Sequence, residues 1–508
     1  MPKYDAVVIG AGLGGLTAAC RLAASGKRTL LIEKHNLPGG VASSFRRGRF
    51  EFDTALHELC EWGDEKNSGA CRDVFYGDFG LDIGWKKIPD CFRVITTGSD
   101  GVTRIDATLP SGRERFISKM EELVPGCRKS VVAFFQLATE IYNATQYTAQ
   151  GNADSKVLME KYPNFLRVGS YTVNKVLDAI KMPQAARDIL CTYWGYLGVD
   201  CDRLPFVEYA TMVLLYVTMG AYIPEKTSNQ ITTGLVERFR EMGGEVWLNC
   251  EAKKICFDDD AVCGVATTGG YVETKHVICN ANPGFVYANM LPKERVPERL
   301  VKLTNQRKYS ARMFVVFLGL DKSAEELGIK DYCYFLPETA DTVKEYNSRK
   351  TIETNNNCTA VCYNVVNPSA SPEGTSILTL TTFFTDDCWS KVDPERYNEI
   401  KTEYAEDLID IFEENTKISL RPYIEEYVVA TPLTYARYAS VPQGAAYGYE
   451  LTEWDSVSAR MQSVEADNPI KGLKFCGAHS VRGDGYDSAA YSGDLMAKLT
   501  LAEMNGEG

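Results

Sequence analysis

Residues 6–16 read AVVIGAGLGGL, and this stretch decides the fold. The apolar residues 7–9 predict a buried strand, Gly-x-Gly-x-x-Gly follows, and the small residues after it begin a helix. A second apolar run, residues 30–32, ends in an acid. This order lets backbone and a helix N-terminus approach a pyrophosphate while the acid accepts hydrogen bonds from a ribose. We therefore predict a Rossmann-type α/β unit whose dinucleotide-binding residues include Gly10, Gly12, Leu13, Gly14, Gly15, Glu33 and Lys34.

A second pair of glycines follows the acid, because residues 38–44 read PGGVASS and residues 48–53 read GRFEFD. The glycine pair permits another close approach of the backbone to the cofactor, which a nicotinamide-binding fold does not need. The order glycine motif, Glu, Gly-Gly, Phe-x-Phe-Asp resembles the amine oxidase and phytoene desaturase superfamily. The resemblance implies FAD as the cofactor, held extended along the sheet. It adds four cofactor-binding residues, namely Gly39, Gly40, Val41 and Ala42.

Composition excludes several classes of protein. The chain has 508 residues, of which 45% are hydrophobic and 24% charged, which is ordinary for a folded soluble protein of about two to four domains. A net charge of −13 argues against nucleic acid as a partner. The 16 cysteines form no Cys-x-x-Cys pair and there are only 4 histidines, so we predict no metal centre.

The same features bear on location. We expect no secretory leader, because the glycine motif begins at residue 10, and no stretch reaches the roughly 18 apolar residues of a spanning helix. We expect a cytoplasmic protein with reduced thiols, and we keep peripheral contact with a membrane open. Residues 209–222 form the most apolar segment, which we interpret as a buried core helix. The alternatives are a wall of a tunnel for a lipid-like substrate, which is also buried, and a patch that rests on a membrane.

The resemblance and the pattern of the chain together predict a glutathione-reductase-like FAD domain, with an inserted substrate domain of mixed sheet and a largely helical lobe. Helical periodicity over residues 114–147 and 155–222 places that lobe. Residues 272–279 predict one strand, and the alternation of residues 377–381 predicts a half-buried strand. The predicted segments are residues 1–80, 226–285 and 431–508 for the FAD domain, and residues 81–225 and 286–430 for the substrate domain.

The end of the chain predicts a second part of the cofactor site. Residues 472–479 read GLKFCGAH, and residues 483–493 read GDGYDSAAYSG, which indicates a strand, a glycine loop and a helix opening near Asp487. These residues, with residues 431–448, resemble the phytoene desaturase, carotenoid isomerase and retinol saturase branch. In that branch the helix N-terminus faces the flavin ring. The resemblance implies flavin contacts at Gly477, Gly485, Tyr486 and Asp487, and an adenine contact at Ala252.

One residue of the closing loop stands out electrostatically. The branch usually has Pro-Gly-Gly-Gly there, whereas this chain has Arg482 before Gly483 and Asp484 after it. A carboxylate beside the flavin makes its reduction harder unless a cation neutralises it. We therefore expect Arg482 to pair with Asp484 if that carboxylate faces the flavin.

The resemblance implies a long, apolar, unsaturated substrate such as a carotenoid, a retinoid or a polyunsaturated acyl chain. A flavin can desaturate, saturate or isomerise its carbon–carbon double bonds. Our catalytic candidates are His57 and Glu58, which follow Phe52-Asp53 where the family's chain passes beneath the flavin; either could move a proton at carbon. The alternative is that both are satisfied by backbone or solvent. Tyr447 and His479 are weaker candidates.

Two other functions stay open at this stage. One is an amine or amino-acid oxidase of the same superfamily, which would need an aromatic cage at the flavin. The other is a non-catalytic FAD-binding protein that escorts an isoprenoid. A single dinucleotide motif is visible, so the sequence does not identify the electron partner.

Overall fold

The computed structural model describes residues 3–64, 68–149, 154–483 and 485–506. Within these residues the strands are β1 (Ala6–Ile9), β2 (Thr29–Ile32), β3 (Ser44–Arg47), β4 (Phe50–Asp53), β5 (Trp85–Lys87), β6 (Asp90–Thr97), β7 (Arg104–Pro110), β8 (Tyr222–Pro224), β9 (Glu245–Trp247), β10 (Ala252–Asp258), β11 (Ala261–Thr267), β12 (Gly270–Glu273), β13 (Val277–Cys279), β14 (Arg312–Leu320), β15 (Cys333–Leu336), β16 (Cys358–Cys362), β17 (Ser376–Phe384), β18 (Ile424–Ala430) and β19 (Leu473–Phe475).

The α-helices of the same residues are α1 (Leu13–Ala24), α2 (Ala70–Arg72), α3 (Arg113–Leu123), α4 (Arg128–Ala149), α5 (Ser155–Lys161), α6 (Pro163–Val168), α7 (Val173–Ala179), α8 (Gln184–Leu190), α9 (Phe206–Thr218), α10 (Ser228–Glu241), α11 (Pro283–Asn289), α12 (Glu298–Gln306), α13 (Ala324–Leu327), α14 (Thr342–Ser348), α15 (Tyr397–Thr416), α16 (Pro432–Tyr438), α17 (Val457–Gln462) and α18 (Gly485–Asn505).

A five-stranded parallel sheet carries the opening motif, in the order β19-β13-β1-β2-β9. Strands β1, β2 and β13 are buried along their whole length, as expected for a parallel sheet with both faces covered. Helix α1 packs against both α10 and α18. The sheet thus draws on three separated stretches of the chain and is the predicted Rossmann-type sheet. The boundaries of the predicted segments stay a prediction.

A seven-stranded mixed sheet forms the second layer, in the order β18-β14-β17-β16-β15-β6-β7, with β15 and β6 as its parallel pair. The prediction of a half-buried strand at residues 377–381 is wrong, because all nine residues of β17 are buried. Leu378 and Leu380 belong to the core beneath α15, whereas Thr379 and Thr381 line a large cavity on the other side. The alternation of leucine and threonine along β17 therefore distinguishes a face that packs on the core from a face that lines the cavity, and both faces are covered.

The helical lobe comprises α3 to α9, as residues 114–147 and 155–222 predicted. Helix α9 occupies the first part of the apolar segment 209–222, and the segment ends in β8. Met212 and Leu215 of α9 are buried and also line the cavity. The segment is therefore both a core helix and part of a cavity wall. Among the described helices, none combines the length and apolar character that spanning a membrane requires.

One predicted strand is divided. Residues 272–279 form the end of β12 and all of β13, separated by residues 274–276. Strand β12 pairs with β11 in a small antiparallel sheet, whereas β13 lies between β1 and β19 in the parallel sheet. The chain has to bend between them, because one continuous strand cannot belong to both sheets.

Candidate active site

A cavity of about 1720 Å³ runs from the carboxyl edge of the parallel sheet to the face of the mixed sheet and into the helical lobe. It brings together nearly all the residues that the sequence predicted to hold the cofactor. Those that line it are Gly10, Gly12, Leu13, Gly14, Glu33, Lys34, Gly39, Gly40, Val41, Ala42, Ala252, Gly477, Gly485, Tyr486 and Asp487. Both catalytic candidates, His57 and Glu58, line the same cavity.

Gly15 is the one predicted cofactor-binding residue that does not line the cavity. A Cβ atom placed on Gly15 would lie 2.0 Å from the carbonyl oxygen of Gly10. The third glycine of the motif therefore allows α1 to pack closely on the end of β1. Its contribution to a dinucleotide site is to set the position of the helix N-terminus.

The two glycine turns lie side by side at the sheet edge. Gly10 has φ of +94° and Gly39 has φ of +119°, which side chains rarely allow. The Gly39 N–H donates to the carbonyl of Ala11 at 2.8 Å, which joins the turns. Among the described residues no side chain caps α1, which leaves the N–H groups of its first turn without a side-chain acceptor where Gly12 and Leu13 line the cavity. This is the donor set that a pyrophosphate needs.

Glu33 lies at the end of β2 and holds the adjacent loops. Its Oε2 accepts the N–H of Ala11 at 2.7 Å, and its Oε1 accepts the N–H of His35 at 2.8 Å. The Cys250 N–H donates to the Glu33 carbonyl at 2.9 Å and brings the start of β10, with Ala252, to the same end of the cavity. The carboxylate thus stands where the βαβ pattern places the ribose acceptor.

Asn280 is a site residue that the sequence analysis did not identify. It follows β13, and its side chain would collide with a Cβ atom on Gly12, Gly14 or Gly477, at 2.6 Å, 2.9 Å and 2.1 Å respectively. It also lines the cavity. Its position directly after a buried strand of the parallel sheet was the available signal, because ligands bind at the carboxyl edge.

The closing loop and α18 lie directly against the opening turn, since a Cβ atom on Gly14 would lie 2.9 Å from the Cα atom of Gly477. Helix α18 begins at Gly485, close to the predicted opening near Asp487. Burial raises the pKa of Asp487 to about 6, and the negative charge of Glu61 is the second largest cause of this shift. Arg482 forms an ion pair with Glu61 at 2.7 Å. The predicted pairing of Arg482 with Asp484 cannot be compared directly, because Asp484 lies outside the described residues.

His57 and Glu58 lie where the cavity meets the mixed sheet. His57 Nε2 is 3.0 Å from Thr381 Oγ1 of β17. Because His57 is removed from bulk water, its pKa is lowered to about 4 and the ring is neutral at pH 7. Glu58 Oε1 accepts a hydrogen bond from the Tyr196 hydroxyl at 3.0 Å. Burial raises the pKa of Glu58 to about 8.

Tyrosine hydroxyls fix the backbone that carries these two residues. We call residues 54–58 the catalytic segment. Tyr435 donates to the carbonyl of residue 54 at 2.8 Å, Tyr363 and Tyr332 donate to the carbonyls of residues 56 and 57, and Tyr216 donates to that of residue 58 at 3.5 Å. These tyrosines come from distant elements, so the sequence carried no local signal for them.

A further arm of the cavity passes between helices of the lobe. Its walls come from α4, α6, α9 and α17, and most of the lining side chains are apolar with a few hydroxyls and amides. They include Tyr142, Thr145, Gln146, Phe165, Leu166, Met212, Leu215, Met461 and Gln462. The cavity therefore has two parts, an apolar chamber and a cradle formed by the glycine turns and Glu33. The two parts meet near His57 and Glu58.

The two weaker candidates also line the cavity. The His479 ring lies edge-on to Tyr309 and Tyr449, at 6.1 Å and 5.0 Å between ring centroids. Burial lowers the pKa of His479 to about 3. Tyr447 packs against Phe383 with the ring centroids 5.5 Å apart. Both are aromatic walls in this arrangement.

Two family models match the chain. Residues 8–73 match the NAD(P)-binding Rossmann-like domain, which covers the opening motif. Residues 200–500, more than half of the chain, match the flavin containing amine oxidoreductase family. The chain belongs to the flavin containing amine oxidoreductase family. It is therefore a flavin-dependent oxidoreductase, which confirms the prediction of an enzyme with a flavin cofactor.

Curated relatives fall in the branch that the sequence resembles. All-trans-retinol 13,14-reductase of Danio rerio is 25% identical over 93% of this chain and 82% of its own length. Prolycopene isomerase 2, chloroplastic, of an Oncidium hybrid cultivar is 23% identical over 99% of this chain and 85% of its own length. The resemblance to the retinol saturase and carotenoid isomerase branch is confirmed.

The fold is shared with solved flavin enzymes. Cyclohexylamine oxidase from Brevibacterium oxydans superposes with a TM-score of 0.63 at 16% identity, over 99% of this chain and 100% of its own. At that identity the likeness concerns the fold alone. The predicted α/β class with a Rossmann-type cofactor domain and mixed sheets is confirmed.

The cradle fits a flavin dinucleotide. Its glycine turns leave backbone bare beside an uncapped helix N-terminus, and Glu33 offers carboxylate oxygens at the neighbouring strand end. The geometry of this end of the cavity is therefore compatible with the flavin cofactor of the family. The roles of the individual side chains stay a prediction.

Proposed function

We propose that this protein is an FAD-dependent oxidoreductase that reduces or isomerises carbon–carbon double bonds of a long apolar polyene, such as a retinoid or a carotenoid. One observation carries the proposal: a single cavity of about 1720 Å³ joins the dinucleotide cradle to an apolar chamber. Ordinary ligand pockets measure about 300–1,000 Å³. The cavity therefore has room for a cofactor and a large second ligand.

FAD is the cofactor that we propose, because Glu33 and the glycine turns suit the ribose and pyrophosphate of its adenosine half. When bound, FAD supplies the exchange of a hydride with carbon. The chain's own contribution is to bind, orient and exclude water. The N-terminus of α1 and that of α18 place partial positive charge at two ends of the cradle.

The chamber supports an apolar chain rather than a charged substrate. Its floor is formed by Met313, Val315 and Phe317 of β14, and its helical arm by residues such as Leu215. The named relatives act on retinol and on prolycopene, which are apolar polyenes. A polyene needs little polar recognition, and the few polar groups near the mixed sheet suffice to act on one double bond.

The test begins with the purified, flavin-loaded protein. Bound lipid is extracted and identified, and the flavin absorbance is followed without oxygen after adding all-trans-retinol or prolycopene. Bleaching of oxidised flavin by the polyene shows desaturation, and reoxidation of reduced flavin by the polyene shows saturation. Altered double-bond geometry without net spectral change shows isomerisation. Unchanged polyene and unchanged flavin under all conditions would contradict the proposal.

Amine oxidation is the second candidate, since Phe383 and Tyr447 place two aromatic rings 5.5 Å apart on the cavity wall. The interplanar angle of 37° is a tilted pair rather than a parallel cage. Rapid bleaching by a panel of primary amines, followed by rapid reoxidation in air, would favour this function over the polyene reaction.

We also propose that the protein contacts a lipid surface, and the helical arm of the cavity supports this. Met159 of α5 is 60% exposed and Leu166 of α6 is 50% exposed, and Leu166 also lines the cavity. An apolar substrate dissolved in a membrane would enter most directly through an apolar mouth, because it would not have to cross water.

A further inference from the structure

We propose that Glu58 is the acid that exchanges a proton with a carbon of the substrate, through its Oε2 atom. The inference rests on the proposed function and adds to it the group that handles the proton. It separates the two catalytic candidates, and it assigns His57 a role in orientation only.

The hydrogen bonds around Glu58 leave one carboxyl oxygen without a partner. The residue lies on the cavity wall and is 6% exposed. Oε1 accepts from the Tyr196 hydroxyl at 3.0 Å, whereas Oε2 is buried and has no hydrogen-bond partner in the described part of the chain. Because Oε1 is the acceptor of this bond, the proton of the neutral acid belongs on Oε2. A buried polar atom without a partner is unfavourable, and Oε2 gains one when the carboxyl group turns from its present closed-off position toward a substrate in the cavity.

The surroundings keep this acid protonated. Burial raises the pKa of Glu58 to about 8, and the Tyr196 hydrogen bond partly opposes the shift. The titratable groups that face it from neighbouring elements are Tyr193, Tyr196, Tyr216, Tyr332, Cys91, Cys333 and His57. All of these are neutral at pH 7, because burial raises the pKa of the phenols and thiols and lowers that of the imidazole. An acid with a pKa near the working pH is well suited to proton transfer.

His57 does not fit the same role. Its pKa is lowered to about 4, so its imidazole has no extra proton to give at pH 7. Its Nε2 is already 3.0 Å from Thr381 Oγ1. The carbonyl of residue 57 is held by Tyr332. His57 therefore helps to hold the catalytic segment against β17.

The proton balance of a reduction is complete with this assignment. A bound flavin in its reduced form would supply the hydride, with both electrons, to one carbon of the double bond. The other carbon gains a proton from Glu58 Oε2. The remaining Glu58 carboxylate is stabilised by the Tyr196 hydroxyl and regains a proton from water. A desaturation uses the same groups in reverse, with Glu58 as the base.

The first experiment compares Glu58→Gln with wild type and with Glu373→Gln, the same change at an exposed turn. Reduction of all-trans-retinol and prolycopene is measured in D₂O with the flavin-loaded proteins. We expect wild type to place deuterium at the carbon that does not receive the hydride. Glu58→Gln should lose about 10²–10⁴-fold in rate, as expected for loss of general acid catalysis. Glu373→Gln should match wild type.

The second experiment does not depend on turnover. The infrared carbonyl band of a protonated carboxylic acid is recorded with and without flavin at pH 7. Wild type minus Glu58→Gln should show one such band, which disappears as the pH rises through about 8. In Tyr196→Phe the band should persist to higher pH, because the lost hydrogen bond favours the ionised form. A purely structural role for Tyr196 would leave this titration unchanged.

The outcomes distinguish the two levels of the proposal. Turnover by Glu58→Gln within about twofold of wild type, or reduction by wild type with no deuterium at the carbon that does not receive the hydride, overturns the role of Glu58 and leaves the proposed function intact. Failure of wild type to convert either polyene contradicts the proposed function for these substrates. In that case the infrared band still decides whether Glu58 holds a proton, and its absence at pH 7 overturns the inference. If Glu58→Gln does not fold, the comparison of wild type with Tyr196→Phe decides instead: a carbonyl band that titrates at higher pH in Tyr196→Phe supports the inference, and the absence of any such shift overturns it.

Discussion

At the scale of single residues, the site depends on glycines that lack a Cβ atom and on buried carboxyl groups whose pKa values are raised. Gly15 and Gly10 meet so closely that a methyl group has no room between them. Glu58 and Asp53 lie on the cavity wall as buried acids, with pKa values raised to about 8 and about 7 by burial. Both effects result from packing, and each predicts a measurable change in stability.

Gly15→Ala should destabilise the protein by about 1–3 kcal/mol, because its Cβ would lie 2.0 Å from the Gly10 carbonyl oxygen and α1 would have to move. The free energy of unfolding from denaturant titration measures this. Gly77→Ala is the matched control, since a Cβ there meets nothing within 4 Å. The control should be neutral or more stable by about 0.4–1 kcal/mol. Equal stability of the two variants would contradict the close packing.

Glu58 should make the protein less stable as the pH rises. Its folded pKa of about 8 exceeds the ordinary value of 4.5, so between these values the native state binds more protons than the unfolded state and the free energy of unfolding falls with pH. Glu58→Gln removes this contribution. Its stability relative to wild type should therefore increase between about pH 5 and pH 8. His57 has the opposite sign, because its pKa is lowered to about 4, but it is present in both proteins. A difference that does not change with pH would show that Glu58 is ionised in the native state.

At the scale of elements, the catalytic segment is neither helix nor strand and is held from outside. Tyrosines from β15's entry, from the turn after β16 and from α16 donate to its carbonyls. Leu59 directly follows the catalytic segment and pairs with strand β8, because the Leu59 N–H donates to the Tyr222 carbonyl at 3.0 Å. The segment therefore has a fixed path although it has no regular hydrogen-bond pattern of its own.

Tyr363→Phe should lower the free energy of unfolding by about 1–3 kcal/mol, because it leaves the buried carbonyl of Leu56 without its donor. Turnover should fall as well, since Glu58 lies two residues further along. Tyr438→Phe is the matched control, because Tyr438 is 64% exposed, and it should leave stability unchanged. Loss of stability without loss of turnover would show that the segment does not position Glu58.

At the scale of the whole molecule, two sheets and a helical lobe line one large cavity, and our proposal of entry from a lipid surface concerns its helical arm. Met159 and Leu166 belong to α5 and α6, where the lobe reaches solvent. The net charge of −13 does not favour attraction to anionic lipid. Contact with a membrane should therefore depend on these apolar side chains.

Met159→Glu together with Leu166→Glu should reduce co-sedimentation with phosphatidylcholine vesicles several-fold, because charged side chains do not enter the apolar layer. Val102→Glu is the control, since Val102 is 84% exposed and does not line the cavity. It should leave the bound fraction unchanged. Wild type that stays in the supernatant at all vesicle concentrations would contradict membrane contact.

The sequence by itself determined the opening part of the cofactor cradle, because that part is local in the chain. Glycines 10, 12 and 14, Glu33 and the glycine pair at 39 and 40 lie within one βαβ unit and its loop, and short-range patterns reveal them. Only the tertiary structure decided the substrate half. Tyr196, Thr381 and the tyrosines of the catalytic segment come from elements far apart in the chain, and periodicity says nothing about which of them meet. The tertiary structure also decides the pKa of Glu58, because this pKa depends on how far neighbouring side chains exclude water from the carboxyl group.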